Sequence, residues 1–325
     1  MRDSGQFWIH RFGLYCCSKL DSESENPRSA SGFARVVVES GAKMAVNNSA
    51  SAYALGSTDA EHERLIRQAA RLAPYTERFF CEAGISAGQR VLDIGSGVGD
   101  VAMLAARLVG SSGEVLGVER DARSIAKART RADEAGLRNV TFTQSDVSEI
   151  SSDRPFDAAV GRYILMYLPD PAGVLRSLER LVRPGGVLAF QDATWAPVLA
   201  LSAQRPLWLA CASIILETFR RSGANPEMGM ALYSTFQKAR LPAPRMHLDV
   251  LLETGSAAVR GIHDIFRSLQ PQIVRSGVNL GSLGDLETLP ARLENELAGS
   301  DGPATWLGLV GAWCRKPSED AFLLH

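Results

Sequence analysis

The chain has 325 residues, 46% of them hydrophobic, with 35 Lys and Arg against 36 Asp and Glu for a net charge of -1. That composition supports a sizeable globular core and provides no global basic field to draw in nucleic acid. No apolar run approaches the roughly 18 residues of a membrane helix, and the start of the chain has no signal-peptide pattern, Phe7 to Tyr15 being broken by His10, Arg11 and Gly13. Five scattered cysteines without CxxC or Cys/His metal spacing read as reduced thiols in a cytoplasmic protein with no metal site.

Residues 1–50 differ from the rest. Ser18 to Ser31 is rich in Ser, Glu, Asn and Pro, a composition that buries too little surface to offset its ordering entropy. The expectation is a disordered leader, with Met44 as an alternative translation start. Residues 51–325 are then expected to form one domain.

A helix is signalled from Thr58, an N-cap with Glu61 three residues on, followed by Leu65, Ile66, Ala69, Ala70, Leu72 and Ala73 at helical spacing. Strand and helix patterns then alternate. Val91–Ile94 is a strand and Asp100–Val109 a helix; Val115–Val118 is a strand and Ala122–Ala135 a basic helix. Val140–Thr143 and Phe156–Val160 are strands, Val174–Leu181 is a helix, and Val187–Phe190 is a strand after the Pro184-Gly185-Gly186 turn. Alternation of this kind implies an α/β, doubly wound, mostly parallel sheet. Beyond Asp192 the rhythm changes. Pro206–Arg221 reads as a long helix, and Arg245–Leu252 and Thr305–Cys314 as an antiparallel strand pair that completes the sheet. Residues 193–244 and 253–303 become a helical cap, and 52–192 a ligand-binding core.

The most informative stretch is Val91 to Asp100, a buried strand entering a G-x-G-x-G turn (Gly95, Gly97, Gly99) with Asp93 two residues ahead of it. Glycine lets the backbone approach a ligand and take positive φ. A dinucleotide fingerprint would be G-x-G-x-x-G, which this is not. Glu119 ends the second strand, where an acid can accept from ribose hydroxyls. Asp146 and Val147 follow the third strand, where a carboxylate can accept from an adenine amino group while a main-chain N–H meets the ring. Gly161-Arg162 ends the fourth. Acids at consecutive carboxyl ends of parallel strands mark the place where open α/β sheets bind ligands.

At these residues the chain resembles the class I S-adenosylmethionine-dependent methyltransferases, whose fold is Rossmann-like. Val91 to Gly99 matches that family's first motif, and Glu119, Ser145-Asp146 and Leu181 to Gly186 match later ones. The similarity covers residues 52–192 well and the remainder loosely. Tyr53-Ala54-Leu55-Gly56, with Glu63-Arg64-Leu65 and Gln68, and Gly161 to Tyr167 resemble a subgroup acting on small molecules. The resemblance implies S-adenosylmethionine as cofactor, bound by Tyr53, Asp93, Gly95, Ser96, Gly97, Gly99, Glu119, Arg120, Asp146, Val147 and Gly161. Asp93 would orient the ammonium group through water, and Tyr53 would cover the cofactor.

Methyl transfer needs positioning more than a reactive side chain, so a general base is optional. Asp192, His247 and Arg162 are the expected catalytic residues, with His263 a further base. Trp195, Trp208, Phe219, Met228, Met230, Tyr233 and Phe236 are expected either to line an apolar acceptor pocket in the cap or to form its core. A nicotinamide-dependent oxidoreductase and a catalytically silent scaffold are the rival readings. Arsenic as acceptor is disfavoured because the core has no cysteine cluster.

Overall fold

The computed structural model describes residues 58–300 and 302–318; the leader and Tyr53 lie outside the described residues. The first helix, α1 (Asp59–Ala83), begins as expected: Thr58 Oγ1 accepts from the Glu61 main-chain N–H at 3.2 Å. The Glu61 side chain does not complete a capping box. It turns into the protein and pairs with Arg64 at 2.6 Å, both groups buried. The helix also runs on through Pro74, because Phe79 and Phe80 beyond it are fully buried and hold the last turns on the sheet. Gly84, at φ 88, ends it.

The chain then alternates through β1 (Arg90–Ile94), α2 (Asp100–Val109), β2 (Glu114–Glu119), α3 (Ala122–Glu134), β3 (Val140–Gln144), β4 (Phe156–Arg162), α4 (Pro171–Leu181) and β5 (Val182–Thr194). Three cap helices follow, α5 (Ala196–Leu201), α6 (Pro206–Arg221) and α7 (Met228–Lys238). After β6 (Arg245–Glu253) come α8 (Gly255–Ser276) and α9 (Leu289–Ala298), and β7 (Ala304–Arg315) closes the described chain.

The seven strands lie in the order β3-β2-β1-β4-β5-β7-β6. The first five pair in parallel, and β7 inserts antiparallel between β5 and β6. This is the Rossmann-like sheet with an antiparallel C-terminal pair that the alternating pattern implied. The reversal of strand order between β1 and β4 opens a crevice at the carboxyl edge of the sheet, where such folds bind ligands.

Strand side chains are buried on both faces, as a parallel sheet requires. Leu92, Ile94, Leu116, Val118, Leu188 and Phe190 join the apolar layer under the cap, while Val91, Val115, Ala158, Val160, Val187 and Ala189 join the layer under α2 and α3. The Pro184-Gly185-Gly186 segment is not a turn before the fifth strand but an irregularity inside β5. There the register with β4 jumps from Phe156↔Val182 to Ala158↔Val187, and Gly185, at φ 74, donates to the Lys316 carbonyl at 2.9 Å.

Two cap helices take their N-terminal partners from elsewhere in the chain. Helix α6 starts at Pro206, and the Glu296 carboxylate on α9 accepts from the next two main-chain N–H groups, those of Leu207 at 2.8 Å and Trp208 at 2.9 Å. Glu227 likewise accepts from the Trp195 N–H at 2.9 Å and the Thr194 hydroxyl at 2.6 Å ahead of α5. Because Glu296 ties the insert between β6 and β7 to the cap, Glu296→Ala should lower unfolding free energy by about 0.5–2 kcal/mol in urea titration. An unchanged midpoint would show that this cap carries no stability.

Candidate active site

The carboxyl ends of the strands surround one cavity of about 550 Å³. That size suits a metabolite-scale ligand. One end is polar, built from the loop after β1 (Gly95 to Val98), Glu119 to Asp121 after β2, Ser145 to Val147 after β3, and Arg64 and Gln68 of α1. The other end is apolar, walled by Met166, Leu168, Trp195, Phe219, Ile265 and Leu307. Arg162, Tyr163 and Ile164 also face the cavity.

The three glycines of the first loop all have positive φ, at 63°, 53° and 87° for Gly95, Gly97 and Gly99, but the space around them differs. A Cβ on Gly95 would stand 2.5 Å from Ile164 Cδ1, and one on Gly99 2.9 Å from Phe142 Cζ and 3.0 Å from Ala128 Cβ. Those two are glycine because protein packs against them. A Cβ on Gly97 would meet nothing within 4 Å. It would project into open space on the cavity wall, so Gly97 is the position at which a ligand could lie against the bare backbone.

Glu119 organises the loop. Its carboxylate accepts main-chain N–H groups from Gly97 at 3.0 Å, Arg120 at 2.8 Å and Asp121 at 3.0 Å. Asp146 is set by Ser148, whose main-chain N–H donates to it at 2.9 Å and hydroxyl at 2.7 Å. The main-chain bond from Ser148 is the chief cause that holds the Asp146 carboxyl below its usual range, against an opposing effect of burial. Ser96 faces the cavity with its hydroxyl buried and without a hydrogen-bond partner.

Asp93 lies behind the loop, 1% exposed, with Oδ2 lacking a partner. Burial pushes its carboxyl well above the usual range, and nearby Arg162 only partly opposes this. Gly161 does not line the cavity. A side chain there would strike Ile164 and Phe190, so it is a packing glycine.

The expected catalytic residues separate. Arg162 reaches the cavity and donates to Thr76 Oγ1 at 2.8 Å, and Thr76 in turn donates to Gln191 Oε1 at 2.8 Å. Burial lowers the Arg162 pKa, opposed by Asp100, Tyr163 and Asp93.

Asp192 is fully buried behind the wall rather than on it. The main-chain N–H groups of Leu165, Ala193 and Met166 act on its charge, yet none meets strict hydrogen-bond geometry, and burial dominates to push its carboxyl well above the usual range. A buried group out of reach of the cavity cannot serve as the base it was expected to be.

His247 is also displaced from its expected role. It packs on Phe79 and Trp313 near the far end of α1, and Nδ1 meets Glu82 at 3.3 Å. His263 on α8 does not line the cavity either.

The cap aromatics divide in the same way. Trp195 and Phe219 line the cavity. Trp208 is buried against Trp306, Phe236 and Met228 are core, and Met230 and Tyr233 face solvent.

Four contributors had no assigned role in the sequence reading. Arg64 and Gln68 were visible only as part of a family-like lead-in; Ile265 and Leu307 carry no local signal at all. Tyr163 was read only within the Gly161 to Tyr167 resemblance. It has φ 57, unusual for a side chain this bulky, and its main-chain N–H donates to the Gln191 carbonyl at 2.9 Å. Its hydroxyl is buried with no hydrogen-bond partner. The backbone conformation costs about 1–2 kcal/mol and the unpaired hydroxyl about 1–3 kcal/mol.

This geometry agrees with comparison to known proteins. A family model described as a methyltransferase domain matches residues 85–236. Over those residues the chain is similar to methyltransferase domains. Over 113 residues it is 39% identical to the arsenite methyltransferase of Aquipseudomonas alcaligenes, covering 32% of this chain and 33% of that protein. Over 115 residues it is 37% identical to the ubiquinone/menaquinone biosynthesis C-methyltransferase UbiE of Cellvibrio japonicus, covering 34% and 46%. Over 104 residues it is 39% identical to the aklanonic acid methyltransferase DauC of a Streptomyces species, covering 32% and 47%. The chain thus spans between a third and a half of the length of these curated relatives.

The different surroundings of the three glycines give a stability test. Gly97→Ala should cost about 1–2 kcal/mol, the strain of positive φ. Gly99→Ala should cost a further 1–3 kcal/mol or so from overpacking against Phe142 and Ala128. Chemical denaturation that ranks the two variants in reverse would contradict the open position of Gly97.

Proposed function

We propose that this chain transfers a methyl group from S-adenosylmethionine to a small-molecule acceptor, with cofactor and acceptor held in one continuous cavity. The observation that carries this reading is the two-ended cavity itself. Acids at the ends of β2 and β3 and the open backbone of Gly97 form one end, and an apolar wall from the cap forms the other. When bound, S-adenosylmethionine supplies a methyl group activated by its sulfonium charge, the chemistry that the cofactor rather than the protein provides.

The residues present fit that group. Glu119 would accept from the ribose hydroxyls, and Asp146 with the Val147 main chain would meet the adenine. The bare backbone of Gly97 would pass the methionine portion, with Ser96 and Arg120 beside it. The buried, unpaired Asp93 oxygen suits a water-bridged contact to the ammonium group. Arg162, at the junction of the two ends, suits a carboxylate of either ligand.

Alignment of acceptor and methyl donor in such a cavity can be worth roughly 7–11 kcal/mol. No histidine lines the cavity among the described residues. The described cysteines do not line it either, and burial pushes the Cys211 and Cys314 thiols up to about 12. They offer no thiolate to a soft element such as arsenic, in contrast to the acceptor that the name of one relative implies. Cys211 and Cys314, described as free and buried thiols, suit a reducing, cytoplasmic compartment. No described helix is long and apolar enough to cross a membrane.

Isothermal calorimetry with S-adenosylmethionine tests the reading. Glu119→Ala should weaken binding by about 1.5–3 kcal/mol through loss of a charge-assisted hydrogen bond. Gly97→Val should abolish binding, and NADH should not compete. Undiminished affinity in folded Gly97→Val, or tight NADH binding, would contradict it.

A further inference from the structure

We propose that β6 is a two-fold interface, its outer edge pairing with the same strand of a second copy of this chain. The proposal is independent of what the cavity binds.

Strand β6 stands last in the sheet, and no described strand pairs with its outer edge. Its two faces differ. The charged and polar side chains at odd positions meet α1, where Glu253 pairs with Arg71, Asp249 with Arg78, and His247 with Glu82 at 3.3 Å. The side chains at even positions are apolar and open. Met246 is 38% exposed, Leu248 50% and Leu252 59%, with Val250 half-buried between them. The alternation survives the register shift between Val250 and Leu252, since the extra residue there belongs to β7. A Cβ on Gly308 would meet Leu248 Cδ1 at 2.8 Å and Pro197 Cγ at 3.3 Å, so the stripe runs beside α5, whose Leu199 and Leu201 are also exposed. A single exposed leucine is ordinary. An apolar row along an unpaired edge is what folded proteins interrupt with Lys, Pro or a bulge in the edge strand, and β6 carries none of these.

The order of residues along the strand points to its own copy as the partner. Laid antiparallel on itself over its full length, β6 sets Arg245 against the partner's Glu253 at both ends. The same register sets Met246 against the partner's Leu252 and Leu248 against the partner's Val250. Opposite charges and apolar side chains are the favourable cross-strand pairs, and here the apolar stripe continues across the two-fold axis. A slip of one residue would turn the partner's stripe to the other face of the sheet, so the register is specified. Asp249 falls opposite its own copy, where each carboxylate is already held by Arg78. A contact of this kind closes on itself as a dimer. Neither described end of the chain leads to this edge. Helix α1 starts beside α3, where Asp59 pairs with Arg123 at 3.1 Å. After β7 the chain turns towards β5, with the Lys316 N–H donating to the Gly186 carbonyl at 2.8 Å.

Sedimentation equilibrium of the full chain at micromolar concentration tests this. The wild type should show about twice the chain mass of 35.0 kDa. Leu248→Lys combined with Leu252→Lys should weaken association by about a hundredfold or more. Circular dichroism and Tm should be kept, because both side chains are exposed. Arg245→Glu should weaken association about tenfold at low salt. Added salt should then strengthen association of that variant and weaken that of the wild type, since like charges replace opposite ones. Val274→Lys, near the far end of α8 and 74% exposed, should leave the dimer unchanged. A monomeric wild type, a dimer that survives the two lysines, one broken equally by Val274→Lys, or a wild-type salt response in Arg245→Glu would each overturn the proposal. So would a monomer whose Tm falls with the two lysines, because the stripe would then be covered by the chain's own residues.

Discussion

The Glu119 carboxylate, accepting three main-chain N–H groups at once, is the interaction on which the site depends. It joins the end of β2 to the glycine loop after β1 and to the start of α3. A carboxylate is needed because only an acceptor with several lone pairs can serve so many donors without leaving one unpaired. With the loop held in this way, Gly97 presents backbone rather than a side chain to the cavity, and Gly95 and Gly99 let Ile164, Phe142 and Ala128 close in from either side. A ligand hydroxyl arriving at Glu119 would meet a group already oriented, so little reorganisation would oppose binding.

The apolar end is assembled from parts far apart in sequence. Trp195 follows β5, Phe219 is near the end of α6, Ile265 is on α8 and Leu307 is on β7. The insert between β6 and β7 thus contributes to the cavity wall as well as covering the sheet. Glu296 links it to α6, and the pairing of Arg67 with Asp264 at 2.7 Å links it to α1. Helix α1 in turn gives Arg64 and Gln68 to the polar end. Helices α1 and α8 thus each contribute to the cavity wall, although no motif spans them.

Legibility followed locality. The order of elements, the glycine loop and the acids at Glu119 and Asp146 were readable because strand, turn and acid are neighbours along the chain and repeat at each parallel strand. Asp192 was misjudged because alternation along a strand tells which face a side chain takes but not whether a helix seals it from the cavity. His247 was misjudged similarly: its position in β6 was right, but β6 is an edge strand and that face meets Phe79, not ligand. Trp208 and Phe236 were expected either to line an acceptor pocket or to form the cap's core, and the structure places them in the core. Tyr163 was legible only as part of the Gly161 to Tyr167 resemblance, because a positive φ and an unpaired hydroxyl are properties of the folded chain.

The central claim, that one cavity at the carboxyl ends of the strands receives the cofactor, is tested most directly by hydrogen–deuterium exchange with and without S-adenosylhomocysteine. The account predicts slower exchange in peptides covering 95–101, 119–122 and 145–148, with no change in peptides covering 245–252 around His247. Protection around His247 with none in the glycine loop would contradict it.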